Sequence, residues 1–297
     1  MVTPEGAVEV INKRFGTHPK SRALHAKGLV CRGTFVATPE AAALTRAAHM
    51  QGNRVDVTAR LSNGSGNPHI PDFEPDVRGL AVAFELPDGK RTVVSTQTVP
   101  RFPVSSPDAF VEMLQALAPG PNALWRLPLF LARHPRAAGA LPVNAKALRP
   151  PQSYATLRYF GVHAFKWIAA DGTQRFVRYR FEPQAGDHRI PAGEAKAAGR
   201  NYLGDELRER LAEGPVRFDL HVQIAQDGDN SADPSAQWPA TRQDVTVGTV
   251  ELTEIVPESG VLVFDPTALT DGIELSDDPV LRFRSAAYSV SIDHRLA

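Results

Sequence analysis

One cysteine in 297 residues, Cys31, leaves the chain unable to close an internal disulfide or build a thiolate metal cage, which fits a reducing compartment. Neither sign of charge is in excess: 33 Lys and Arg balance 33 Asp and Glu, so no overall field draws the chain to nucleic acid or anionic lipid. The first residues show no basic segment followed by an apolar run, and no secretory signal is expected. Long hydrophobic runs are absent too. The most apolar stretch, Leu124–Ala132, holds Arg126 and Pro128 and falls far short of the ~18 apolar residues of a spanning helix. The expected location is the cytoplasm, with no nucleic-acid and no membrane partner.

Familiar catalytic signatures are also missing. No GxGxxG or GxxxxGK[ST] is present, and the glycine-rich run Ser62-Asn63-Gly64-Ser65-Gly66-Asn67 lacks the lysine of a phosphate cradle. The absence of HExxH, CxxC and GxSxG excludes the common zinc and serine-hydrolase sites. Lysine is scarce, at seven residues against 26 arginines, which compositional bias in an Ala-rich chain explains as readily as selection for bidentate contacts.

What remains is an ordinary globular composition, 42% hydrophobic and 22% charged, punctuated by 25 prolines that favour strands and loops. Period-two alternation predicts strands at Arg78–Leu86 and Arg91–Ser95, joined through the Pro87-Asp88-Gly89 turn. It predicts further strands at Phe165–Ala169, Arg175–Phe181 and Val216–Ala225, and one from Val245 whose parity shift places a β-bulge at Gly248. His221 falls on the surface side of its strand. Helices are predicted over Pro39–Met50, Pro107–Leu117, Leu124–His134 and about Glu194–Glu213, and a long surface loop over Gln226–Pro239. Short turns between such strands imply an α+β fold, an antiparallel β-barrel with peripheral helices in one domain spanning 1–297.

Two terminal motifs carry chemistry: Arg22-Ala23-Leu24-His25-Ala26-Lys27-Gly28, and Arg284-Ser285-Ala286-Ala287-Tyr288 followed by Arg295. Each has an ordinary structural explanation alone. With Arg78-Gly79-Leu80-Ala81-Val82-Ala83-Phe84, Tyr159-Phe160-Gly161-Val162-His163-Ala164-Phe165, Phe264-Asp265-Pro266 and Gly272-Ile273-Glu274, in this order over nearly the whole chain, they resemble the monofunctional haem catalases, in particular the small catalase-related proteins.

The resemblance implies haem b held between the barrel and a C-terminal helix, with Tyr288 as the axial iron ligand. It places the Arg284 guanidinium beside the phenol oxygen, extended by His163 and Asp278. On the other haem face His25 would be general base and then acid in peroxide cleavage, oriented by Ser62. Arg22, Arg60 and Arg295 match arginines that bind haem propionates, and Phe110 a haem-edge or channel aromatic. Catalases carry a distal Asn, which the best register replaces by Thr96; Gln97 would supply an amide after a one-residue slip that turns its side chain to the other face. The implied activity is a haem peroxidase reducing hydrogen peroxide or small organic hydroperoxides through a ferryl-oxo intermediate, at the expense of a small-molecule reductant, with weak catalase activity. The alternative is a small true catalase. Larger catalases carry additional arms and helical regions, so a homodimer is the largest assembly expected here.

Overall fold

The computed structural model describes residues 1–297 apart from 119, 121, 260 and 297. In chain order its elements are α1 (Pro4–Phe15), β1 (Gly28–Ala37), α2 (Pro39–Leu44), β2 (Arg54–Asn63), β3 (Arg78–Glu85), β4 (Arg91–Gln97), α3 (Pro107–Ala116), α4 (Ala123–Arg133) and α5 (Pro135–Ala147). Then follow β5 (Tyr159–Phe160), β6 (Phe165–Ile168), β7 (Gln174–Pro183), α6 (Ala192–Ala198), α7 (Tyr202–Glu213), β8 (Val216–Ile224), β9 (Asp244–Val256), β10 (Ile273–Leu275) and α8 (Pro279–Leu296).

Eight strands close an antiparallel ring in the order β7-β5-β4-β3-β2-β1-β9-β8, with β8 returning to β7, while β6 and β10 continue the sheet beyond the same edge of β7 as β5. Closure leaves the ring without an open edge. Alternation along the strands fills the barrel: Leu61, Leu80, Val82, Phe84, Phe218 and Val250 point inward and are fully buried. The intervening residues of β1–β4 face outward beneath the segment around Leu262 and Phe264, where Val30, Ala83 and Val93 form a second apolar cluster. A third, made by Val104, Ala109, Phe130 and Ala137, holds α3–α5 together as a helical lobe.

The hairpins and the bulge fall where the patterning puts them: β8 shifts register against β9 between the Leu220–Gly248 and His221–Thr246 pairs. Two predicted helices are broken. The chain leaves α2 at Thr45, which is extended and commits its hydroxyl to the Gly272 carbonyl at 2.7 Å, and only one 3-10 turn, Ala48–Met50, follows. Gly199, at φ +105, separates α6 from α7. The Gln226–Pro239 loop is irregular but anchored, for Trp238 is buried beneath the Arg178 guanidinium, 4.4 Å from its ring centre.

A histidine is trapped among the inward residues. His49 is fully buried against Phe84, with ring centres 4.9 Å apart, and neither ring nitrogen has a hydrogen-bond partner. Burial pushes its pKa down to about 3. The unfolded chain takes up a proton below its ordinary value near 6.5 and the folded one does not, so His49 removes stability as pH falls from about 6.5 toward 3. Replacing it by Leu is expected to shrink the stability difference between pH 8 and pH 5 by about 2 kcal/mol, at 1.36 kcal/mol per pH unit. Denaturant unfolding at both pH values checks this, and an unchanged difference contradicts it.

Candidate active site

The segment before β1 crosses the ends of β1 and β2 and is pinned to the β2 end by backbone bonds from His25 N to Gly64 O at 3.1 Å and from Ala26 N to Ser65 O at 3.0 Å. These contacts hold His25 at φ +55, a conformation that a non-glycine residue adopts at a cost of about 1 kcal/mol or more. Its carbonyl accepts from Arg60 Nη1 at 2.7 Å, and its Nδ1 lies 3.0 Å from Ser62 Oγ. Two glycines make room. A Cβ on Gly79 would stand 2.8 Å from the His25 ring, and one on Gly28 would stand 2.8 Å from the Arg60 guanidinium carbon. The final Gly of the first terminal motif is therefore a seat for Arg60. Burial, reinforced by the charges of Arg60, Arg284 and Arg22, pushes the His25 pKa down to about 3, so the ring is neutral across the physiological range.

Arg22 and Arg60 share one carboxylate, that of Glu258. Arg22 Nη2 reaches it at 2.6 Å and Arg60 Nε at 3.0 Å. Burial alone would raise the Glu258 carboxyl, but Arg60 and Arg22 overcome it and hold the group below its ordinary value. Arg295, from the end of α8, meets Arg22 on the Leu262 carbonyl, and its Nε is buried without a partner. Nothing in the local sequence pattern pointed to Glu258 or to the seat at Gly79; only the folded register brings them into the cluster.

Helix α8 supplies the opposite side. Asp278 sits just before its first residue, and one carboxylate oxygen accepts from Val280 N and Leu281 N, capping the helix. The other oxygen lies 2.6 Å from His163 Nδ1, in a pair that is fully buried. Burial lowers the His163 pKa despite that bond, with Arg284 adding to the effect. Further along the helix Arg284 Nη2 donates to Tyr288 Oη at 2.8 Å, an i, i+4 pair on one face. The Ala23 backbone N–H donates to Ser291 Oγ at 3.3 Å, which ties the His25 segment to the same helix.

The fold thus gathers His25, Ser62, Arg22, Arg60 and Arg295 beside the Tyr288–Arg284 face, with His163 and Asp278 at the root of α8. Thr96 is not brought to the His25 face. It pairs with Leu80, whose side chain points into the barrel, and its buried hydroxyl donates to the Leu80 carbonyl at 2.7 Å. Gln97 is the residue that shares the outer face, because Ser62 pairs with Gly79 and Gly79 with Gln97. Phe110 packs inside the helical lobe, stacked on Phe102 with ring centres 6.0 Å apart; Phe102, not Phe110, contacts the His163 ring.

A sequence model of the Catalase family matches residues 14–297. The chain belongs to the catalase family. It is 50% identical to a catalase-related peroxidase of Mycolicibacterium paratuberculosis, over 99% of this chain and 95% of that one. It is 37% identical to a catalase-related peroxidase of Synechococcus elongatus, over 99% and 89%. A Listeria seeligeri catalase is 29% identical over 93% of this chain, which spans only 60% of that relative. Among solved structures a bacterial catalase superposes with a TM-score of 0.82 at 23% identity, covering 93% of this chain and 58% of that one. The fold is therefore the catalase core.

The electrostatic reading of the site has a direct check. The His25 ring is expected to remain neutral at every pH above about 4 in side-chain NMR titrations, because its enclosure disfavours the cation. In Gly79→Ala the added methyl displaces the ring from its seat, and the titration moves up toward 6.5. A wild-type ring that titrates near 6.5 contradicts the assignment.

Proposed function

We propose that the protein is a haem-dependent peroxidase of the catalase family, reducing hydrogen peroxide or small organic hydroperoxides at the expense of a small-molecule reductant, with weak catalase activity. One observation carries this reading: a neutral, hydroxyl-oriented His25 on one wall and a guanidinium-paired Tyr288 on the other, tied together through Ala23 and Ser291.

The residues fit iron protoporphyrin IX. Two guanidinia, those of Arg22 and Arg60, share the single carboxylate of Glu258, and Arg295 beside them keeps a buried nitrogen without an acceptor. That donor surplus suits the two propionates of a haem b. Tyr288 would supply an oxygen ligand to the iron, with Arg284 donating to it and Asp278–His163 fixing the helix that carries both. When bound, the haem supplies the redox chemistry that accepts an oxygen atom from the peroxide.

The chain's own residues handle the protons. In the tautomer that donates Nδ1–H to Ser62 Oγ, His25 Nε2 carries a lone pair and takes the proton from the attacking peroxide oxygen. Burial, reinforced by the surrounding guanidinium charge, disfavours the resulting imidazolium, so the same nitrogen readily returns the proton to the leaving oxygen as water or alcohol. Carboxylates bound to Arg22 and Arg60 would cancel two of the three charges that depress the ring, drawing its pKa back toward neutrality.

A second reading, a small true catalase, rests on Gln97, whose carboxamide lies in the Ser62–Gly79 row and would orient a second peroxide. A glutamine is one methylene longer than the usual Asn, which loosens that placement, and loss of a positioned donor can cost about 2.7–4 kcal/mol of transition-state stabilisation. The expected outcome is that peroxide consumption depends on added reductant and releases far less than one dioxygen per two peroxides. Oxygen-electrode and peroxide assays on the haem-loaded protein measure both; a full dioxygen yield that reductant does not alter favours the true catalase.

A further inference from the structure

The helical lobe leaves an apolar surface uncovered. On α4, Leu124 is 82% and Trp125 78% exposed, and Pro128, Leu129 and Ala132 continue the same outer side. On α5, Leu141, Pro142 and Val143 are exposed in turn. With Leu117, this lobe holds six of the ten exposed large hydrophobics among the described residues. An amphipathic solvent-facing helix would carry polar residues at these positions.

The segment that carries the patch has charge of one sign only. From Met113 to Ala170 the sequence has no Asp or Glu in 58 residues, where 33 acids in 297 would put about six, yet it has seven Lys and Arg. Arg133, Arg136, Arg158 and Lys166 pair with Glu112, Asp233, Glu182 and Glu274 from outside the segment, whereas Lys146 and Arg149 are exposed and make no ion pair among the described residues. We propose that the outer side of α4 and α5 docks on an anionic lipid surface, with Leu124, Trp125 and Leu129 entering the interface and the basic residues facing the headgroups. Leu and Trp beside Lys and Arg, free of carboxylates, is the composition of an interfacial helix. A second copy of the chain fits less well, since a two-fold contact would set this basic segment against itself with no acid in it to answer. The expectation of no membrane partner rested on a neutral net charge and the lack of a spanning run; surface attachment needs only a local patch and no spanning run. Docking here would bring the peroxidase chemistry proposed above beside hydroperoxides formed in lipid, although the docking does not rest on that reading.

The test is co-sedimentation of the haem-loaded protein with vesicles of phosphatidylglycerol and phosphatidylcholine in equal parts, against phosphatidylcholine alone. Light scattering without vesicles runs in parallel. Partitioning is expected to be at least about tenfold stronger on the anionic vesicles, to weaken with salt, and to fall about tenfold in the double variant Trp125→Ser, Leu129→Ser. Both substituted side chains are solvent-exposed, and unchanged circular dichroism confirms that the variant is folded. Equal binding by the variant overturns the proposal, as does absence of binding. A dimer that the double variant dissociates would instead assign the face to a second copy.

Discussion

Asp278 decides where the C-terminal helix meets the barrel. One of its oxygens closes the first turn of α8 and the other holds His163, so the helix cannot rotate without either uncapping itself or stripping a buried imidazole of this partner. Both losses occur in a fully buried setting, where an unmet donor or acceptor costs about 1–3 kcal/mol. Everything on the α8 side of the site inherits its position from this point. Arg284 and Tyr288 lie one helical turn apart on one face, and Ser291 and Arg295 continue down to the His25 loop and the Leu262 carbonyl.

The other wall depends on a different constraint, the crowding of four strands. Gly28 and Gly79 lie in the same cross-strand row as Ser62, and their missing side chains leave space for a guanidinium and an imidazole against the sheet. The positive charge gathered there is only partly answered. Glu258 serves two arginines at once and Arg295 retains an unsatisfied nitrogen, so the fold stores a demand for carboxylates. Burial keeps the His25 ring neutral and the same cations reinforce it, which couples anion binding there to the proton affinity of His25.

Much of this was legible in the sequence, for identifiable reasons. Strict alternation in β3 and β8, and the parity shift at Gly248, gave the barrel strands and the bulge because one face of each strand is buried. The two terminal motifs brought His25, Arg284 and Tyr288 forward through their resemblance to the haem catalases, and the fold sets them on two walls tied together through Ala23 and Ser291. Less visible were features set by distant partners. Thr45 leaves its helix for the Gly272 carbonyl, and Glu258 lies in a segment with no pattern of its own. At positions 96 and 97 alignment chose the hydroxyl, whereas the sheet pairs Gln97 with Gly79 and turns Thr96 inward; register is a property of neighbouring strands and cannot be read from one.

We propose that the α8 face and the His25 wall enclose one haem, with Tyr288 as its protein ligand. Haem titration of wild type and Tyr288→Phe, followed by Soret absorbance with circular dichroism as a check on folding, tests it most directly. One haem per wild-type chain is expected, and a folded variant that binds haem weakly or not at all. A folded Tyr288→Phe protein with full haem and an unaltered spectrum would contradict it.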